Sequence, residues 1–205
     1  MNTVNAVFLD RDGVLNHEVG HLSRVEQIQL LPGVPGAVRR LNQRGIPVVV
    51  VTNQSVIGRG ICSEEDVEQI HVAMQELLSD EQAIINNFYY CPHHPTEGIG
   101  RYLLHCDCRK PLPGMLVQAA TELGFDLSAS VVVGDSLSDL EAGWAAGCQT
   151  VLVATGNGAE TRRRMDSHPR RPDHYATGLD EAVEWILDGW IGRRSGSGVA
   201  SGKRS

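Results

Sequence analysis

The chain has 205 residues, of which 41% are hydrophobic and 21% charged, and its net charge is -7. That size and balance describe a single soluble globular domain, and the acidic surplus lacks the basic footprint of a nucleic-acid binder. No run is long and apolar enough to span a membrane, and Met1 to Asn5 lead straight into an apolar segment without the basic and apolar regions of a leader.

In chain order, Val4 to Leu9 reads as a short strand buried on both faces. It ends in Asp10-Arg11-Asp12-Gly13, two carboxylates spaced i, i+2 before a glycine turn. His17 to Gln29 is polar and mixed, a small flap over the strand end. Pro32 to Gly45 holds a helix with an apolar face of Val34, Val38 and Leu41. Ile46 to Val51 is a second strand whose β-branched run lacks alternation, as in a parallel sheet; it ends in Thr52-Asn53. Ser63 caps the next helix, with Glu64, Glu65 and Asp66 in its first turn and Val67, Ile70, Met74, Leu77 and Leu78 along one face. Ile84 to Tyr90 is the third strand, Cys91 to Arg109 a long loop, and Pro113-Gly114-Met115 opens a helix that ends near Gly124. Val131 to Val133 is the fourth strand, ending in Gly134-Asp135, followed by a helix over Leu137 to Ala146 and a fifth strand over Thr150 to Val153. Arg162 to Arg171 reads as a basic surface loop. A last helix, Leu179 to Trp190, presents Val183, Ile186, Leu187 and Trp190. Residues 1–192 form the expected domain, and the Ser/Gly/Arg-rich stretch 193–205 is expected to be a disordered tail.

Strands alternating with helices give an α/β, doubly wound parallel sheet of Rossmann-like type with expected order 3-2-1-4-5. The first and fourth strands then flank the switch point where such sheets bind ligands, which brings Asp10, Asp12 and Asp135 together. Carboxylates held that close need a cation or a shared proton, and Mg²⁺ takes carboxylates plus a substrate phosphate.

Five cysteines are an odd number, and three of them crowd around histidines. Cys91-x-His93 and Cys106-x-Cys108 offer three thiolates and an imidazole, the donor set of a closed structural Zn²⁺ site; His94 and His105 are alternative nitrogen ligands. Clustered thiols of this kind suit metal binding in a reducing compartment, so the cytoplasm is the expected location.

Four strand-end features fall in order: Asp10-x-Asp12, Thr52-Asn53, Lys110-Pro111 and Gly134-Asp135-x-x-x-Asp139. Any one of them is ordinary; a lone lysine is more often solvated than functional. Together, over about residues 4 to 155, they resemble the haloacid dehalogenase-like phosphatases. The resemblance implies that Asp10 attacks phosphorus and that Asp12 is the general acid and base. It further implies that Asp10, Asp12 and Asp135 hold Mg²⁺, that Thr52 and Asn53 bind the phosphoryl group, and that Lys110 offsets its charge. Asp139 is expected to orient Asp135.

The stretches Cys91-Pro92-His93-His94-Pro95 and Cys106-Asp107-Cys108-Arg109-Lys110-Pro111 look like two groups within that superfamily. These are the D-glycero-D-manno-heptose 1,7-bisphosphate phosphatases and the histidinol-phosphate phosphatases. The long loop between the metal pairs favours the heptose group, in which Arg109 binds substrate. A basic residue often follows Asp135 and often precedes Gly158 in these relatives; here Ser136 and Asn157 stand there, and His21 replaces a flap tyrosine. The expectation is a Mg²⁺- and Zn²⁺-dependent sugar-phosphate phosphatase without a large cap domain, acting as a monomer. Histidinol phosphate, or another small phosphomonoester, is the alternative substrate.

Overall fold

The computed structural model describes residues 4–195. Six strands, all paired in parallel, form one sheet in the order β3-β2-β1-β4-β5-β6. They are β1 (Val7–Leu9), β2 (Val48–Asn53), β3 (Asn87–Cys91), β4 (Val131–Gly134), β5 (Gln149–Val153) and β6 (His174–Ala176). The helices are α1 (Val34–Gln43), α2 (Ser55–Gly58), α3 (Glu64–Ser79), α4 (Gly114–Leu123), α5 (Leu137–Ala146), α6 (Gly158–Met165) and α7 (Leu179–Ser195).

The apolar strands have two buried faces because successive side chains alternate across the sheet. Val7, Leu9, Val48, Val50, Val131 and Val133 pack with α1, α3 and α7, while Phe8, Val49, Val51 and Val132 pack with α4 and α5. Helices therefore cover both faces, as a parallel sheet requires. Ser63 caps α3 by accepting from the Asp66 amide, and the Asp66 carboxylate accepts from the Ser63 amide in return. Leu77 of α3 faces solvent rather than the core.

Three features depart from the sequence reading. The sheet has a sixth, three-residue strand at its edge beyond β5. Part of the basic stretch read as a loop is helical: α6 buries Thr161 and Met165, one helical turn apart, while Arg163 and Arg164 pair with Glu160 on its exposed side. Helix α7 runs to Ser195, into the stretch assigned to the tail; residues 196–205, and the Trp190 side chain, lie outside the described residues.

No large domain interrupts β1 and α1. His17 to Gln29 forms only the small flap, closed at its base by the Asn16 side chain, which donates to the His17 carbonyl and accepts from the Gln29 amide. Between β2 and α4 lie α2, α3, β3 and the Cys/His loop. The carboxyl ends of β1 and β4 therefore open to one cleft beneath the flap.

Candidate active site and metal centres

Leu9 pairs with Val133 across β1 and β4, so the residues just past these strand ends, Asp10 and Asp135, face one another over the switch point. Lys110 reaches the same place from the loop before α4. Asn53, the last residue of β2, fixes that loop: its side chain donates to the Lys110 carbonyl and accepts from the Lys110 amide, both at 3.0 Å. The Lys110 ammonium is buried and touches three oxygens, Asp10 Oδ1 at 2.8 Å, the Val51 carbonyl at 2.8 Å and Asp139 Oδ1 at 2.5 Å.

Asp139 belongs to the first turn of α5. Its Oδ2 accepts from the Ser136 amide and hydroxyl, which caps the helix, while buried Oδ1 faces Lys110 without hydrogen-bond alignment. Gly134 is required here, since a Cβ would lie 2.2 Å from that of Asp139. Asp135 Oδ2 accepts from the Asn157 amide at 2.7 Å. Its carboxylate fills the space between Gly13 and Gly156, where added Cβ atoms would stand 2.1 and 2.2 Å from Oδ2.

Asp10 and Asp139 thus flank one ammonium, with the Asp135 carboxylate close behind them. Burial, and then Asp139 and Asp135, push the Asp10 carboxyl up against the opposing pull of Lys110, to about 8. Burial and Asp139 raise Asp135 to about 6. Burial alone would lower Lys110, but Asp10 and Asp139 outweigh it and hold the ammonium above its usual range. One oxygen from each of Asp10, Asp135 and Asp139 lies within 4.8 Å of the others. An all-oxygen, surplus-negative cluster of this kind fits Mg²⁺.

The carboxylates of Asp10, Asp135 and Asp139 form that cluster, and the Asp12 carboxylate lies outside it. Arg11 takes both its oxygens, Nε donating to Oδ1 at 3.2 Å and Nη2 to Oδ2 at 2.6 Å. Asp12 still lines the cleft with Asp10, Thr52, Asn53 and Lys110. Thr52 Oγ1 accepts from Gln54 Nε2 at 2.8 Å. Gln54 and Ser138, to which the sequence reading gives no role, line the same cleft, as does Asn157, noted there only for the basic residue it replaces; their place just past a strand end or an anchored acid is the signal that marks them.

The second centre lies beside Lys110. Cys91 ends β3, and Cys106 and Cys108 return to it from the loop. The sulfurs are 3.1 to 3.5 Å apart, and His93 Nδ1 lies 3.3 Å from Cys108 and 3.7 Å from Cys91. Tetrahedral Zn–S bonds of about 2.3 Å imply edges of roughly 3.8 Å, so this set fits a four-coordinate Zn²⁺ with little adjustment. Hydrogen bonding to Cys91, with burial, holds the Cys108 thiol well above its usual range, and a bound cation would offset that cost. The two alternative histidines are elsewhere: His94 accepts from the Glu97 amide, and His105 lines an adjoining cavity. Arg109 lines that cavity too, with Lys110 and Leu112, and donates to the His93 carbonyl at 3.1 Å. It therefore stands beside the main cleft, not in it.

A family model for HAD-hydrolase-like proteins matches residues 107–182. A D-glycero-D-manno-heptose-1,7-bisphosphate 7-phosphatase of Thermosynechococcus vestitus is 44% identical over 185 residues, covering 88% of this chain and 94% of the relative. A D-glycero-beta-D-manno-heptose-1,7-bisphosphate 7-phosphatase of Escherichia coli is 43% identical over 187 residues, 91% of this chain and 90% of that one. Among solved structures, a D,D-heptose 1,7-bisphosphate phosphatase of B. bronchiseptica with magnesium and phosphate superposes with TM-score 0.81 at 34% identity, covering 90% of this chain and 99% of the other.

Proposed function

The chain belongs to the D-glycero-D-manno-heptose-1,7-bisphosphate 7-phosphatases of the HAD-like hydrolases, and from that premise we propose how its residues divide the reaction. It is a Mg²⁺-dependent phosphatase that removes the C7 phosphate of the heptose bisphosphate, and its cofactors are Mg²⁺ and Zn²⁺. The observation that carries the assignment of roles is the meeting of Asp10, Lys110, Asp135 and Asp139 at one strand-end cleft with Asp12 on its wall.

A phosphomonoester dianion repels an approaching carboxylate. Asp10, Asp135 and Asp139 would hold Mg²⁺, which would supply the positive charge that lowers this repulsion and polarises the phosphoryl group. Lys110 adds a fixed cation beside the attacking oxygen. Asp10 attacks phosphorus: its Oδ–P bond forms as the bond from phosphorus to the C7 oxygen breaks, and Asp12 delivers a proton to that oxygen. Asp12, now a carboxylate, then takes a proton from water as the water attacks phosphorus, releasing phosphate and regenerating Asp10. Thr52 and Asn53 sit at the end of β2 to receive the phosphoryl oxygens.

The Zn²⁺ site has no open position among its four protein donors, so its role is to shape the loop that precedes Lys110. Arg109, anchored on that loop, is placed to hold the second phosphate as a fork. Among the described residues no helix is long and apolar enough to cross a membrane. Five cysteines, none of them in a disulfide, suit the cytoplasm.

The test compares kcat/KM for heptose 1,7-bisphosphate, fructose 1,6-bisphosphate and histidinol phosphate under one set of conditions. The heptose bisphosphate is expected to lead. A tenfold lead for histidinol phosphate would overturn the substrate while leaving the phosphatase chemistry in place.

A further inference from the structure

Arg11 is the largest of the completely buried side chains, with 0% exposure, and its partner Asp12 keeps 20% of its side chain open to the cleft. Burying a guanidinium costs several kcal/mol unless geometry and hydrogen bonds compensate. In every other arginine–carboxylate ion pair among the described residues the arginine is at least a third exposed. What this one secures is therefore informative.

Nε and Nη2 grip the two oxygens of Asp12. Nη2 also donates to Gln54 Oε1 at 3.0 Å. Gln54 is itself held, through its amide on the Cys91 carbonyl at 2.8 Å and its Nε2 on Thr52 Oγ1. Nη1 faces His71 Nε2 at 3.5 Å. His71 lies on α3, is buried, and stacks on Phe88 of β3 with centroids 4.6 Å apart. Burial and the Arg11 charge push His71 down to about 3, so its ring stays neutral and Nε2 is free to accept.

We propose that Arg11, braced by Gln54 and His71, is a positioning residue that aims the Asp12 carboxyl at the oxygen of the departing alcohol. This rests on the reading of Asp12 as general acid. A carboxyl that accepts a bidentate arginine keeps further lone pairs for a proton, so the grip fixes its direction without blocking its use. Misplacing a catalytic group by an ångström can cost about a hundredfold, and the other side-chain contact of Asp12, with Gln54 Nε2, is long at 3.4 Å.

The test exploits the leaving group. A sugar alkoxide needs the proton from Asp12; 4-nitrophenolate, a stable anion, does not. For Mg²⁺-loaded protein, kcat/KM reports the steps through transfer to Asp10 and so isolates the acid step. Asp12→Asn comes first: it should lower kcat/KM at least about a hundredfold on heptose 1,7-bisphosphate and far less on 4-nitrophenyl phosphate. Equal losses on both would reject Asp12 as the acid, and with it the premise. Given the unequal loss, Arg11→Lys should lose about ten- to a hundredfold on the sugar and under about threefold on the aryl ester. His71→Leu, which removes the acceptor at similar size, should follow the same pattern more weakly, and His71→Gln should restore it. If Arg11→Lys does not fold, the His71 pair decides. Equal losses on both substrates, or none, would overturn the positioning role.

Discussion

The two metal-binding clusters are built on opposite plans. Cys91, His93, Cys106 and Cys108 come from one loop and need only β3 to start it. Asp10, Lys110, Asp135 and Asp139 come from residues 10–139 and meet only because β1 and β4 are neighbours and Asn53 clamps the Lys110 loop. The soft cluster closes on itself, so its cation contributes folding free energy locally. The hard cluster accumulates like charge at a place where the sheet holds it, a cost that a bound Mg²⁺ would relieve. Stability is concentrated in one centre and chemistry in the other, and Lys110, two residues beyond Cys108, joins them.

The sharpest way to break this contrast is Asp10→Asn. Turnover should fall by at least about a thousandfold, because an amide cannot attack phosphorus. Above about pH 8, where the Asp10 carboxyl carries its charge, removing that charge from a crowded carboxylate cluster should leave the melting temperature of the Mg²⁺-free protein unchanged or higher. A large loss of stability would mean that the acidic centre also carries the fold.

Cys106→Ser makes the converse change. Elemental analysis should find one zinc per chain in the native protein and little in the variant. Stability should drop by about 2–4 kcal/mol, which for a chain of this size is on the order of 5–15 °C. Below its melting range, kcat should fall less than about tenfold. An unchanged melting curve on chelation would remove the structural role of the loop site.

The pH dependence sharpens the same comparison. Asp10 titrates at about 8 in the folded chain against an ordinary 3.8. Between those values the folded state holds a proton that the unfolded chain releases, so raising the pH destabilises the Mg²⁺-free fold. His71, held near 3 against an ordinary 6.5, acts in the opposite sense only below 6.5. From pH 6.5 to 8, calorimetry should therefore show stability falling by about 1–2 kcal/mol without Mg²⁺. Saturating Mg²⁺, which competes with that proton, should flatten the slope. A rise across this window in the Mg²⁺-free protein would contradict the buried-acid picture.

Arg109→Ala should have the smallest effect. It should lower kcat/KM about tenfold on the bisphosphate and little on a simple monophosphate, as a remote binding group does. Equal effects on both would place Arg109 in the reaction itself.

The residues that sequence made legible are those whose type and place coincide. Asp10 and Asp135 each follow an uninterrupted apolar strand, and the doubly wound order then brings them together. The Cys/His set is legible because three thiols within a short span have few other uses. Strand β6 escaped notice because three residues at a sheet edge carry almost no periodicity, and α6 because Arg162, Arg163 and Arg164 mask the spacing of Thr161 and Met165. That the Asp12 carboxylate stands apart from the clustered acids is not legible in the sequence, because its neighbour Arg11 reads as a surface charge. Only the packing of α3 against β3 shows that guanidinium buried and turned onto Asp12. Asp139 joins the carboxylates for a similar reason: a helix cap uses one oxygen and leaves the other facing Lys110.

The central claim is that Asp10 carries the phosphoryl group in transit. Acid quenching of the Mg²⁺-loaded protein during turnover of heptose 1,7-bisphosphate, followed by proteolysis and mass spectrometry, tests it directly. One phosphoryl group should appear on the peptide containing Asp10, localised to that carboxylate, and it should form and decay at rates compatible with turnover. A phosphoryl group on any other residue, or none under conditions where product is still forming, would contradict the account.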